Sequence, residues 1–307
     1  MTAAAPTHPG RPAAALPGAA SVAIRDLLTG PPRAAIVGGV TPHACYVEAG
    51  DALVAVTLGT ASRMPCAVRL PPGAPPPGSW ARAGEAAVVG AGAVTLPRRV
   101  VAVRRWWSPV PALPPVDPAA LAGWRSAVAA EAATAGRGGR GTTAGGAGTA
   151  GGVADPAVAG LAAALLAGDP AAAAGAVGAL LGRGPGSTPA GDDVVAGALV
   201  TLRLLGAVLP GGGQPAVLTA VAERTVALAP ARTTRLSAAL LRHAAAGEPL
   251  GELADVLATV GAKRPVGPAV ATLLAVGHTS GSDLLTGLLL ACDALSRWGR
   301  RDGEVHG

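Results

Sequence analysis

Phenylalanine is absent from this chain of 307 residues, Tyr46 is the single tyrosine and Lys263 the single lysine. Aromatic side chains supply much of the buried area of ordinary cores, so the helical part must instead rely on close backbone approach between alanine- and glycine-rich segments. The same lack removes the stacking surfaces that single-stranded nucleic-acid binders use. The formal charge of +6 comes from arginines spread along the chain rather than gathered in a stripe. Close pairs such as Arg137/Arg140, in a glycine tract, and Arg104/Arg105, beside Trp106/Trp107, stand apart from one another along the chain. Nucleic-acid binding is therefore not expected.

Cysteine is also scarce. Cys45, Cys66 and Cys292 form no CxxC pair and no zinc-spaced set with histidine, which excludes a disulfide framework and fits a reducing cytoplasm. No charged segment precedes an apolar one at the start, so a secretory leader is not expected. The apolar stretch 157–182 is interrupted by Asp169-Pro170, and 194–209 carries Arg203. Neither is an unbroken span of about 20 residues, and no membrane association is expected.

What the chain does have is glycine, alanine and proline, with half of its residues hydrophobic. Residues 1–20 read as a disordered tail. Residues 21–115 read as a small antiparallel β domain, with short apolar runs at 34–40, 44–47, 52–58, 65–70, 86–89 and 100–103. Residues 116–300 read as an all-α domain of about seven helices. A flexible glycine-rich insert occupies 136–152, and 301–307 form a short tail. The fold class expected is α+β. Helix starts are marked by Asp117-Pro118, Asp155-Pro156, Asp169-Pro170, Thr188-Pro189, Gln214-Pro215 and Glu248-Pro249, several of which put a capping side chain before an N1 proline.

Two passages carry more polar and glycine residues than a loop needs. The first is Gly182-Arg183-Gly184-Pro185-Gly186-Ser187-Thr188-Pro189-Ala190-Gly191-Asp192-Asp193, which opens the apolar helix 194–209. The second is Gly277-His278-Thr279-Ser280-Gly281-Ser282-Asp283-Leu284-Leu285-Thr286-Gly287. Glycines before a helix let backbone N–H groups approach a ligand, and the helix N-terminus favours negative charge on it. Asp193 and Gly197, like Asp283 and Gly287, are four apart and share a helix face. Glycine inside a helix costs about 1 kcal/mol relative to alanine, so two in matching places imply closely approaching helices. The two N-termini are expected to converge on one polar pocket. Whether Asp192 or Asp193 corresponds to Asp283 is ambiguous by one residue. The plainer alternative makes Asp283 part of a capping box with Ser280 and leaves Asp192 and Asp193 to complement the helix dipole.

A third polar island, Arg232-Thr233-Thr234-Arg235-Leu236-Ser237, heads a helix at 236–246. Thr233 or Thr234 is placed to cap it, and its arginines and hydroxyls also suit a carboxylate or phosphate.

Together, Gly-x-Gly-x-Thr-Pro-x-Gly-Asp-Asp, Thr-Thr-x-x-Ser-Ala-x-Leu-Leu and Gly-His-Thr-Ser-Gly-x-Asp-Leu-Leu-x-Gly-Leu resemble the AllH-like family, linked to the third subunit of bacterial oxamate carbamoyltransferase. The resemblance extends to Leu58-Gly59-Thr60-Ala61-Ser62-Arg63-Met64-Pro65 and Trp106-Trp107-Ser108-Pro109. Ser187 stands where the family pattern suggests leucine, and 136–152 is an insertion. The resemblance implies a subunit that works with synthetase-like partners in the phosphorolysis of oxalurate to oxamate and carbamoyl phosphate, a step of allantoin breakdown.

The residues suit a small carboxylate- and amide-bearing substrate. Its oxygens want donors, for which Arg183, Gly184, Gly186, Ser187, Thr188, Gly191, Arg232, Thr233, Thr234, Thr279, Ser280 and Gly281 are the candidates. Its amide N–H groups want acceptors, for which Asp192, Asp193 and Asp283 are candidates, Asp193 and Asp283 with catalytic roles. His278 is a candidate proton shuttle, with a hydrogen-bonded turn residue as the plainer reading. No resident cofactor is expected. Two alternatives stay open: a metabolite-binding subunit without chemistry, and a hydrolase holding Mg²⁺ on Asp192, Asp193 and Asp283.

Overall fold

A computed structural model describes residues 15–138, 155–211, 213–262 and 264–305, with the side chains of 136–138 and 301–305 left out of account. Most of the expected tails and of the 136–152 insert lies outside the described residues. The chain divides into two units. One holds the strands up to residue 107; the other holds 108 onward together with the short segments 21–23 and 62–66.

The first unit is a closed barrel, not the simple antiparallel domain expected from the sequence. Its eight strands are β1 (Leu16–Ser21), β2 (Arg33–Val40), β3 (Ala44–Ala49), β4 (Ala52–Thr57), β5 (Ala67–Arg69), β6 (Ala86–Gly90), β7 (Ala93–Leu96) and β8 (Arg99–Trp107), in the order β1-β5-β4-β3-β2-β6-β7-β8. A short helix α1 (Arg25–Thr29) follows β1. Closure leaves no unpaired sheet edge. One pair, β4 with β5, is parallel, because the chain crosses over between Thr57 and Ala67 instead of turning back in a hairpin.

Two strands escaped the sequence reading. β1 lies partly inside the stretch read as tail, its Leu-Pro-Gly-Ala composition arguing against a strand. Gly18 serves it: a Cβ there would sit 2.6 Å from Val68 Cγ1 and 3.0 Å from Val101 Cγ1, so only glycine leaves the neighbouring valines room. β7 was hidden because its two-residue hairpin from β6 is Ala91-Gly92, with both φ values positive, rather than the usual Asn-Gly. The barrel interior is filled by small residues, among them Val37, Val47, Val54, Val56, Val68, Val89, Val94 and Val101, all inaccessible to solvent.

The second unit is helical: α2 (Pro118–Gly138), α3 (Pro156–Ala167), α4 (Pro170–Leu180), α5 (Ala190–Gly206), α6 (Pro215–Arg232), α7 (Arg235–Ala245), α8 (Gly251–Leu257), α9 (Gly267–Leu274) and α10 (Ser280–Val305). Among the described residues that makes ten α-helices with α1, nine of them after the barrel, rather than about seven. The surplus comes from α8 and α9, of seven and eight residues, too short to show a periodic pattern.

The Asp-Pro punctuation works as local physics requires. Asp155 Oδ1 accepts from Ala157 N at 2.8 Å, and Asp169 Oδ1 accepts from Ala171 N and Ala172 N at 2.9 and 3.0 Å, each before an N1 proline. Glu248 is different. It pairs with His243 at 2.6 Å, and α8 starts only at Gly251.

At the centre runs α5, which contacts α4, α6, α7 and α10 and is buried at every position from Ala190 to Leu202. A helix buried on all sides has no polar face to spare, so any charge on it must find its partners inside. Asp192 and Asp193 are those charges.

Candidate functional site

Helix α5 meets α10 at glycines. A Cβ on Gly197 would lie against the Leu284 carbonyl oxygen, and one on Gly287 against the Val194 carbonyl oxygen and 2.7 Å from Ala198 N. The contact is reciprocal. Gly197 answers to Gly287 and Val194 to Leu284, so the counterpart of Asp283 is Asp193, which settles the ambiguity of register. The likeness continues outward: Gly191 is pressed against the carbonyl of Leu180 at the end of α4, and Gly281 against that of Leu273 near the end of α9. Each long helix thus starts beneath the end of the helix before it.

This crossing brings the two helix starts together. Thr188 Oγ1 lies 2.9 Å from Ser280 Oγ. Thr188 is therefore not the cap expected from the sequence: Pro189 occupies the N-cap position of α5, and the threonine hydroxyl reaches across to the other helix. Asp193 and Asp283 are 7% and 4% exposed, and the Oδ2 atom of each is buried without a hydrogen-bond partner. Burial raises the Asp193 carboxyl from its ordinary 3.8 to about 7, against the opposing hydrogen bonds of Ser280 and Thr188 and with the help of the nearby Asp283 and Asp192 charges. Burial raises Asp283 too, partly offset by a hydrogen bond from Thr279, whose carbonyl also accepts from Asp283 N at 3.0 Å. The local partner of Asp283 is thus Thr279 and not the Ser280 of the capping-box reading.

Asp192 faces the other way and is fully engaged. Its Oδ1 accepts from Gly182 N at 2.7 Å; its Oδ2 accepts from Ser237 Oγ at 2.6 Å and from Thr233 Oγ1. Thr234 Oγ1 caps α7, accepting from Ser237 N at 3.1 Å, and donates to the Ser187 carbonyl at 2.5 Å. The threonine island thereby fastens the glycine loop to the start of α7. Ser237 is the member of this knot missing from the sequence candidates. The cluster of hydroxyls at Thr233, Thr234 and Ser237 was the available signal. Asp192→Ala strands the three donors and is expected to cost about 3 kcal/mol, read as a melting temperature lower by roughly 6–12 °C in calorimetry. An unchanged melting temperature would show that the knot bears no load.

The remaining candidates are dispersed. Gly182 and Gly184 use positive φ to pass under the Arg232 carbonyl and beside Ala190 N, so they pack chain against chain. Gly186 alone of the loop glycines has open space around it. Arg183 is half-exposed and pairs with Asp155 at 3.2 Å, the same carboxylate that caps α3. Ser187, Arg232 and His278 are exposed. The structure therefore gathers Thr188, Asp193, Thr279, Ser280 and Asp283 at one place, and Asp192, Thr233 and Thr234 at a second. Among the described residues no three His, Cys, Asp or Glu side chains converge to hold a metal ion. With both oxygens of Asp192 occupied, the three-aspartate Mg²⁺ site has no geometric support.

The family model described as oxamate carbamoyltransferase subunit AllH matches residues 180–292. This is the family that the motifs resemble. The AllH match begins at the last residue of α4 and ends within α10, so it contains both glycine-rich helix starts, the Asp192 knot and the Asp193–Asp283 pair. The barrel lies outside it. No solved structure matches the chain. Among the described residues no helix is long and apolar enough to cross a membrane.

Proposed function

We propose that this chain is a subunit of a carbamoyltransferase and that a small carboxylate- and amide-bearing substrate binds where α5 and α10 begin. One observation carries the reading: two carboxyl oxygens, Asp193 Oδ2 and Asp283 Oδ2, are buried without partners at the meeting of two helix N-termini. A native core pairs nearly all such atoms, and those left over mark places where a further group belongs. Carboxylates there accept amide N–H groups. The exposed Gly186-Ser187 turn, just before Thr188, is the approach, and the Thr188 and Ser280 hydroxyls, which hydrogen-bond Asp193, hold its carboxyl in place.

In phosphorolysis of oxalurate a phosphate oxygen bonds to the carbamoyl carbon, the bond from that carbon to the oxamate nitrogen breaks, and the nitrogen takes up a proton. Asp193, raised to about 7, is placed to hold and release such a proton near neutral pH. His278, exposed and outside the buried pair, has no place in this step. The matching family is that of a carbamoyltransferase subunit, and synthetase-like partner subunits complete the enzyme in this reading.

The test is reconstitution with those partners. Asp193→Asn is expected to lower oxalurate phosphorolysis by about 100-fold or more while the chain still folds and assembles. Turnover equal to wild type would leave a metabolite-sensing subunit as the surviving reading.

A further inference from the structure

The two aspartates at the start of α5 and α10 are not equivalent, and the difference bears on which chemical groups the site can tell apart. Asp193 is reached by two hydroxyls, that of Thr188 from the loop before its own helix and that of Ser280 from the first turn of the other. Asp283 is reached by one, that of Thr279. The nearby hydroxyls of α10 are spent elsewhere: Ser282 Oγ donates to the Thr279 carbonyl at 2.6 Å, and Thr286 Oγ1 to the Ser282 carbonyl at 2.9 Å. Among the described residues no arginine, lysine or histidine pairs with either carboxylate.

Burial raises both carboxyls, and at Asp193 the charges of Asp283 and Asp192 add to it, so a proton taken up by the pair settles on Asp193. Asp283 then stays ionised, and an ionised carboxylate accepts hydrogen bonds but donates none. Its Oδ2 is buried, at a residue 4% exposed, and no donor of the chain meets it. A buried acceptor left so costs free energy until a donor arrives, and here the donor has to come with the ligand. In an N-carbamoyl amide such as oxalurate the donors are the bridging N–H and the terminal –NH2. The bridging nitrogen is the one that Asp193 serves with a proton, which leaves the terminal –NH2 to Asp283. An acyl group carries a methyl in that place. It has the size of –NH2 but no hydrogen to give, and it would strip water from a buried charge without replacing it.

We propose that Asp283 makes the site specific for carbamoyl over acyl groups, its Oδ2 accepting a hydrogen bond from the terminal –NH2 of the ligand. The assignment rests on the proposed carbamoyltransferase reading for the class of ligand, and adds to it the residue that reads the transferred group.

The test is calorimetric binding to the full chain, which needs no turnover: oxalurate against N-acetyloxamate, in which a methyl replaces the terminal –NH2. Wild type is expected to bind oxalurate at least about tenfold more tightly. Asp283→Ala should reduce that preference to less than about threefold, through weaker binding of oxalurate and not of N-acetyloxamate. A merely structural role would weaken both ligands alike. The comparison of ligands on wild type involves no variant and decides the matter even where Asp283→Ala does not fold. No saturable binding of oxalurate, equal affinity for the two ligands in wild type, an equal loss for both in Asp283→Ala, or a preference kept in that variant would each overturn the proposal. Selective oxalurate binding without phosphorolysis in the reconstituted enzyme would instead remove the transferase reading and leave this assignment standing.

Discussion

Gly287→Ala is expected to destabilise the helical unit by about 3 kcal/mol or more. The added methyl would fall against the Val194 carbonyl oxygen, 2.7 Å from Ala198 N and 2.9 Å from the Val194 carbonyl carbon. All three are backbone atoms of a helix buried along its length, so no flexible side chain can yield. Alanine improves intrinsic helix propensity by about 1 kcal/mol, which the clash outweighs. Gly197→Ala should behave alike, since its methyl would meet the Leu284 carbonyl. Gly160→Ala in α3 is the control: nothing lies within 4 Å of its added carbon, and a gain of about 0.5–1 kcal/mol is expected. Urea unfolding of the three variants decides the matter. Gly287→Ala as stable as wild type would mean that α5 and α10 do not meet as described.

Stability should also fall as pH rises through the neutral range, and Asp193 should account for most of the fall. Its carboxyl is raised from 3.8 to about 7, so between those values the folded chain holds a proton that the unfolded chain has released. The unfolded state then binds fewer protons, and the slope of stability with pH is negative. The contribution is complete below about pH 4, declines as pH rises, and is gone above about 7. At 1.36 kcal/mol per pKa unit it amounts to roughly 4 kcal/mol. Asp283, raised in the same direction, steepens the decline, while Asp192 adds its charge from beside the pair. Asparagine at 193 stays neutral throughout. The advantage of Asp193→Asn over wild type should therefore grow between pH 4.5 and 8 in urea titrations. Parallel curves for the two proteins would remove the raised Asp193 from the account.

How far the site was legible in the sequence depends on the range of the interactions involved. The glycine and aspartate pattern announced two closely packed helices, because a glycine four residues after an aspartate is a local statement about one helix face. The family resemblance rested on the same residues, and the family match falls there. The role of each aspartate was not legible. Asp192 and Asp193 are adjacent and chemically identical, and they part company because one turns toward Thr233 and Ser237, 41 and 45 residues away, and the other toward α10. Thr188 looked like a cap because threonine before proline usually is one; its partner is Ser280, 92 residues on. The glycines of the loop looked like ligand contacts, yet most of them let one segment of backbone pass another.

The barrel shows the same division. Short apolar runs between proline and glycine clusters identified most of its strands, since both signals are local to each strand. Closure was not visible, because it rests on β1 pairing with β5, Ala19 opposite Arg69, across three intervening strands. By itself the sequence determined that Asp155 and Asp169 start helices, where most of the strand segments lie, and that two glycine-marked helices must approach each other, all consequences of capping, side-chain pattern and backbone sterics within a few residues. Only the tertiary structure decided that the sheet closes and that Asp192 is tied down while Asp193 and Asp283 share a buried corner. Those outcomes are set by packing and desolvation between segments far apart in the chain, and no local pattern encodes which segments meet.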